Sequence, residues 1–171
     1  AHEIAKTCER NFIAINIGGK KAIQKWGSKK WVSLIEKLSQ EVNCWEYIIV
    51  GGSEDVHEAE ELLKSIPAKG QNFCGILTPR ESAATLSFAK LFIGHDTGPL
   101  HLAACVGVPS VGIFGANNKP KKWHPFGHEV EVVHDQRGVE YVTVSAVLHL
   151  AIRLWFRQNE IHSGTVEISE E

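Results

Sequence analysis

Residues 90–115 read KLFIGHDTGPLHLAACVGVPSVGIFG. Leu91–Ile93 is predicted as a buried strand, Gly94–Pro99 as a tight turn, Leu100–Val106 as a short helix closed by Gly107, and Pro109–Phe114 as a second buried strand. Strand, turn, helix and strand in so short a span form a βαβ unit, and such units build parallel sheets. The turn carries the chemistry. Gly98 lets the backbone approach a ligand closely. Pro99 suits the first helical position, where its missing N–H would have lacked a partner anyway. The helix N-terminus therefore aims free N–H groups and its positive dipole end at the top of the sheet, a ready site for phosphate or another anion. Thr97 and His101 are four apart and share a side of the first turn. Asp96 sits at the carboxyl end of the strand, where open α/β sheets place their ligands.

The same alternation extends in both directions. Phe12–Ile17 is a β-branched, fully buried strand ended by Gly18-Gly19. After a lysine-rich loop (Lys20, Lys21, Lys25), Ser28 is the predicted N-cap of an amphipathic helix. Its core stripe is Trp31, Leu34, Ile35, Leu38 and Val42. Tyr47–Val50 is the next strand, and Glu54–Ile66 the next helix, with Val56, Ala59, Leu63 and Ile66 inward and Pro67 stopping it. Asn72–Cys74 is a short strand, and Thr78-Pro79-Arg80-Glu81 a capping box that opens a helix to about Ala89. Beyond Gly115, periodicity is lost through Ala116–His128, a long loop at the ligand edge. Glu129–Val133 is an outer strand, and Thr143 caps a last helix carrying Val144, Val147, Leu148, Ala151 and Trp155 on one face. Five or six strands alternating with helices predict an α/β fold, an open, doubly wound parallel sheet. The expected organisation is a lead-in at 1–10, one Rossmann-like domain at 11–160 and a polar tail at 161–171.

Composition excludes several classes. At 171 residues with 43% hydrophobic and 22% charged content, the chain is one ordinary globular domain. A net charge of −2 leaves no electrostatic footprint for nucleic acid. No apolar run approaches the roughly 20 residues of a membrane span. The four cysteines form no C-x-x-C pair and read as reduced thiols, with Cys105 expected in the core beside Ala103 and Ala104. The nine histidines show no metal-ligand spacing, and only His101 sits where chemistry would want it. The chain starts with Ala and lacks Met, so it is expected to be a fragment or a processed product.

In a doubly wound sheet the loops after the strand ends meet over one crevice. Here those are Gly18–Gly27, Gly51–Asp55, Gly94–Pro99 and Gly115–Gly127. Their glycines give backbone access, and their lysines neutralise phosphate as point charges. A carboxylate after the second strand can accept hydrogen bonds from ribose hydroxyls. The inferred ligand is a nucleotide carrying a diphosphate. Each residue also has a plainer role. The lysines serve equally as a solvated basic loop, Glu54 and Asp55 as ordinary helix-start charges, and Trp26 and Trp123 as packing under loops.

Asp96-Thr97-Gly98-Pro99-Leu100-His101-Leu102-Ala103-Ala104, followed by Gly107-Val108-Pro109 and Phe114-Gly115, resembles the D-S/T-G-x-x-H-x-A-A motif of family 9 glycosyltransferases, the ADP-heptose:lipopolysaccharide heptosyltransferases and their relatives. The resemblance covers roughly Phe12 to Trp155. Those enzymes have the GT-B fold, two Rossmann-like domains facing across a cleft. This chain looks like the C-terminal, donor-binding half alone. The resemblance implies that Asp96, Thr97, Gly98 and His101 line the donor site, the backbone of Thr97 and Gly98 contacting the diphosphate. With them the donor-binding set comprises Gly18, Gly19, Lys20, Lys25, Glu54 and Asp55. It implies an inverting transfer that needs no metal or other cofactor, with helix dipole and basic side chains stabilising the departing nucleoside diphosphate. The donor would be a nucleotide-sugar such as ADP-heptose. The acceptor, a lipopolysaccharide core or related glycan, would be reached through the missing N-terminal domain, which also supplies the general base, so the catalytic residue is not expected here. The resemblance places the protein in the cytoplasm, at the inner face of the bacterial inner membrane.

One departure stands out. The family has Lys-x-Trp-Pro after the first strand, whereas this chain has Gln24-Lys25-Trp26-Gly27, with Gln24 where the lysine should be. Lys25, Lys20 or Lys21 could take over. The family's ribose-binding acid has no single match; Glu54, Asp55 or Glu58 could serve. A nucleotide-sugar epimerase or hydrolase of the same architecture, and a non-catalytic nucleotide-binding module, are the rival readings, the latter favoured by Gln24.

Overall fold

The structure, a computed structural model, describes residues 11–19, 25–44, 46–116, 125–127 and 129–163, with side chains through residue 157. Six parallel strands form one sheet: β1 (Phe12–Asn16), β2 (Glu46–Ile49), β3 (Gly70–Asn72), β4 (Leu91–His95), β5 (Ser110–Phe114) and β6 (Val130–His134). Their order is β3-β2-β1-β4-β5-β6. The chain winds outward from β1 in one direction, then returns to β4 and winds the other way. The crevice between the ends of β1 and β4 is therefore the topological switch point, where ligands of such sheets bind. Asn16 pairs in register with Gly94 at its base.

Alternating side chains of each strand face opposite layers, and both layers are filled, so the strands read as unbroken apolar runs. Ile13, Ile15, Tyr47, Ile49, Leu91, Ile93, Val111 and Ile113 pack under α1 (Ser28–Glu41), α2 (Val56–Ser65) and α5 (Val144–Ser163). Phe12, Ala14, Ile48, Phe92 and Phe114 pack under α3 (Pro79–Leu86) and α4 (Gly98–Cys105). The predicted stripe of α1 is buried throughout, Trp31 and Leu34 to 1% exposure. Removing a side chain of that size from such a site costs about 3–5 kcal/mol. The capping box at Thr78 and Glu81 forms as expected, the Glu81 amide donating to the Thr78 hydroxyl. The Ala146 amide donates to Thr143 Oγ1, capping α5.

Several boundaries differ for local reasons. Gly27, not Ser28, is the N-cap of α1: its φ of 97° is glycine territory, and its carbonyl accepts from the Lys30 and Trp31 amides. A 3-10 turn at Ser53–Asp55 precedes α2, whose stripe buries Ala59 and Leu62, while Leu63 sits at the sheet edge against Gly70. β3 stops at Asn72 because that side chain accepts from the Cys74 amide and turns the chain. After Leu86, 3-10-type bonds from Phe88 to Thr85 and from Ala89 to Leu86 unwind α3 before Ala89. Cys105 is exposed rather than core, since Ala103 and Ala104 take the inward positions of α4. Burial pushes the Cys44 thiol up to about 11 and the Cys74 thiol up to about 12, so neither is a thiolate near neutral pH. β4 continues past the predicted Leu91–Ile93 through His95, so the turn begins at Asp96. No helix among the described residues is long and apolar enough to cross a membrane.

Candidate functional site: the β4–α4 corner at the switch point

Thr97 stands at the N-cap of α4, in extended backbone with φ −142° and ψ 169°. A threonine there ordinarily turns its hydroxyl onto a first-turn amide. Here it does not. Thr97 Oγ1 donates downward to Asn16 Oδ1 at 2.7 Å, and Asn16 Nδ2 in turn donates to the Val50 carbonyl at 2.8 Å. Pro99 has no N–H, and the Leu100 and His101 amides both point back to the Thr97 carbonyl. The Gly98 amide is left without an acceptor among the described residues. Nothing lies within 4 Å of the place a Gly98 Cβ would take, so the protein's own packing does not require glycine there. The helix end forgoes its side-chain cap and turns its positive pole toward the crevice, the geometry that suits an external acceptor.

Around this corner the other strand ends converge. His95, only 1% exposed, bonds through both ring nitrogens: Nδ1 to the Gly18 carbonyl and Nε2 to the Trp26 amide, each at 3.0 Å. An amide can only donate and a carbonyl only accept, so the pattern assigns the neutral Nδ1–H tautomer. Burial pushes His95 down to about 4, against the smaller upward pull of the Gly18 carbonyl. Trp26 is buried; its indole donates to the Val142 carbonyl at 2.8 Å and meets Trp31 edge-on, so it packs rather than offering a face to a base.

Asp55 is the third buried polar group. Its carboxylate lies against Gly18, where a Cβ would come within 2.1 Å, and Oδ2 accepts from the Gly52 amide at 3.0 Å. Oδ1 is buried and has no hydrogen-bond partner among the described residues. Burial pushes the Asp55 carboxyl above the usual carboxylate range, the Gly52 N–H opposing it. Glu54 is exposed beside Gly52. Lys25 forms an ion pair with Glu58, whose hydrogen bond holds the ammonium above its ordinary value. His101 Nε2 and Asp96 Oδ1 are 3.3 Å apart at the mouth, His101 being the more exposed.

The structure thus brings Asp96, Thr97, Gly98 and His101 into one corner and joins it to Gly18 through His95. Gly19 follows Gly18 at the same strand end, and Asp55 touches Gly18 from the β2 side. Lys25, one of the lysines expected to meet phosphate, is engaged by Glu58. Lys20, Lys21, Gln24 and Trp123 lie outside the described residues, as does most of the 116–128 loop. Among the described residues no three or more His, Cys, Asp or Glu are grouped to hold a metal ion. Asn16 and His95 were missed by the sequence reading, although each is a polar residue ending an apolar strand run, FIAIN and LFIGH.

The sequence profile described as Glycosyltransferase family 9 (heptosyltransferase) matches residues 1–146. This chain belongs to glycosyltransferase family 9. Among family relatives, Lipopolysaccharide heptosyltransferase 3 of Escherichia coli is 25% identical over 126 residues, 71% of this chain and 36% of its own length. Lipooligosaccharide heptosyltransferase 2 of Campylobacter jejuni is 31% identical over 94 residues, 52% of this chain and 30% of its own. The fold matches that of the Escherichia coli ADP-heptose lps heptosyltransferase II with a TM-score of 0.79 at 19% identity, over 92% of this chain and 52% of that one. It matches Escherichia coli heptosyltransferase WaaC, solved with ADP, with a TM-score of 0.74 at 17% identity, over 86% of this chain and 45% of that one. The chain therefore spans about a third of these curated relatives and about half of the solved ones.

Proposed function

We propose that this chain is the nucleotide-sugar-binding half of a heptosyltransferase-like family 9 enzyme, with its donor diphosphate at the N-terminus of α4. The observation that carries the reading is the N-terminus of α4 at the switch point of a family 9 chain, where the Gly98 amide has no acceptor among the described residues and the Thr97 hydroxyl bonds Asn16 rather than its own helix. Asp55, with a buried and unpartnered Oδ1 on the β2 side, suits the ribose hydroxyls, which would give that oxygen the donors it lacks. His101, oriented by Asp96, places a polar ring at the mouth. As the sugar leaves, charge grows on the diphosphate, and fixed amide and dipole at α4 stabilise it without reorganisation. The donor is ADP-heptose, the compound in the name of the solved Escherichia coli heptosyltransferase II, and the acceptor a lipopolysaccharide-core or related glycan at the cytoplasmic membrane face. Transfer proceeds with inversion and without a metal, the general base coming from a second α/β half that lies outside this chain.

Calorimetry of the chain with ADP, UDP and GDP tests this. ADP is expected to bind best, with no sugar transfer by the chain alone and full activity of the complete enzyme in EDTA; an Asp96→Ala change weakens ADP. Binding of none of the three would overturn the reading, as would robust transfer by this chain without its other half. The Lys25–Glu58 pair favours one rival, a nucleotide-binding module without turnover, because it occupies the described cation that would meet phosphate. Under that rival the complete protein binds ADP and transfers nothing.

A further inference from the structure

The motif residues occupy the β4–α4 turn, yet the partner half of the crevice, the chain after β1, has no secondary structure between Ile17 and Gly27 among its described residues. Something must hold that segment against the turn. The turn itself is tied down by Asn16, whose side chain bonds Thr97 and the Val50 carbonyl just past β2 and makes no hydrogen bond to a described residue of the segment. Lys25 and Glu58 form a half-exposed ion pair, a weak restraint in water. Among the described residues, the side chain that reaches the segment from the base of the turn is His95. It reaches 77 residues back to the Gly18 carbonyl and 69 back to the Trp26 amide, so one side chain grips the segment near its start and near its end. Both contacts are buried, where water cannot substitute for a lost partner. His95 also meets Trp31 of α1 edge-on at 5.7 Å, which fixes the ring plane. Its backbone is the residue immediately before Asp96.

We propose that His95 is a positioning residue of the donor site: its ring splints the Gly18 and Trp26 ends of the first loop to the base of the Asp96–His101 turn, setting the distance between the two walls that enclose the diphosphate. This rests on the nucleotide reading above. His95 touches no ligand in this account. It acts through Gly18, whose backbone borders Asp55, and through Trp26, whose neighbour is Lys25. Movement of either wall by an ångström is enough to degrade a phosphate contact, since amide and ammonium donors act over hydrogen-bond distances.

The splint has two halves that amide side chains can reproduce one at a time. Asparagine places an N–H near the Nδ1 position and keeps the bond to the Gly18 carbonyl. Glutamine reaches the Nε2 position with an oxygen and keeps the bond from the Trp26 amide. In the 171-residue chain at pH 7.5, His95→Asn and His95→Gln are compared with the parent by urea denaturation, ADP calorimetry and amide hydrogen exchange. Each variant is expected to bind ADP about ten-fold more weakly under conditions where it is fully folded, the loss of one buried hydrogen bond at the wall. The Trp26 amide is expected to exchange at least ten-fold faster in His95→Asn and at the parent rate in His95→Gln. Lowered urea midpoints with unchanged ADP affinity in both variants would reduce His95 to a structural residue and overturn the proposal. If the parent itself fails to bind ADP, the nucleotide reading falls. The exchange arm still decides the splint, and equal Trp26 exchange in all three proteins would overturn it.

Discussion

The two edges of the sheet treat buried polar residues differently. At the edge where the strands begin, Ser110 donates its hydroxyl to the Val108 carbonyl two residues away, and Glu46 accepts from Gln71 on the neighbouring strand. These bonds are local, Glu46 keeping its buried Oε2 without a partner among the described residues, and they join nothing that adjacent pairing had not already joined. At the edge where the strands end, Asn16, Thr97 and His95 make buried or part-buried bonds between segments 34 to 81 residues apart. The same chemistry closes a strand at one edge and ties distant segments together at the other. A pocket built from loops needs such ties, because loops lack the ladder of hydrogen bonds that holds the strands.

The contrast can be broken most strongly with acid. His95 is pushed down to about 4 from its ordinary 6.5. Above pH 6.5 the group is neutral in both states and stability is insensitive to it. As pH falls below 6.5 the unfolded chain takes up a proton that the folded chain refuses, so stability falls until about pH 4, by up to about 3 kcal/mol. Asp55, pushed the opposite way by burial, offsets a little of this at the acid end. Urea midpoints between pH 7.5 and 4 check the slope, and His95→Gln is expected to flatten it. Next in size, Asn16→Ala takes the side-chain donor from the Val50 carbonyl and the shorter bond from the Thr97 hydroxyl, which keeps only the His95 carbonyl at 3.4 Å. It is expected to cost about 2–3 kcal/mol in urea and to weaken ADP about ten-fold. The matching change at the other edge, Ser110→Ala, costs under about 1 kcal/mol and leaves ADP binding unchanged. Equal effects at both edges on ADP would erase the contrast.

Asp55→Asn sharpens it in a different sense. The charged form is disfavoured by burial, so the neutral isostere is expected to raise the urea midpoint at pH 7.5 while lowering ADP affinity several-fold. The smallest effect belongs to Glu58→Gln. The pair with Lys25 is half-exposed and contributes under about 1 kcal/mol. Freeing Lys25 is expected to tighten ADP about three-fold, and calorimetry at low and high salt separates this from a general charge effect.

Most of the fold is legible in the sequence because both sheet faces are covered. Runs such as FIAIN and LFIGH are apolar enough to mark buried parallel strands, and the heptad-like spacing of Trp31, Leu34, Ile35 and Leu38 marks α1. The corner at Asp96–His101 is legible for a different reason: glycine, proline and small polar residues follow one another where a strand must turn into a helix. What surrounds it is not legible. That His95 reaches Gly18 and Trp26 depends on β1 and β4 lying side by side, a fact of strand order and not of local pattern. Lys25 looked like a phosphate ligand because Glu58, its partner, lies 33 residues away on another element. Leu62 and Leu63 both fit the stripe of α2, and only the sheet edge at Gly70 separates them.

The central claim concerns one backbone amide, that of Gly98. A crystal of the chain soaked in ADP tests it directly. The account predicts diphosphate density with an oxygen at hydrogen-bond distance from the Gly98 nitrogen and the Thr97 hydroxyl still bonded to Asn16. Density seated elsewhere on the molecule, or Thr97 turned to cap α4 with the corner closed, would contradict it.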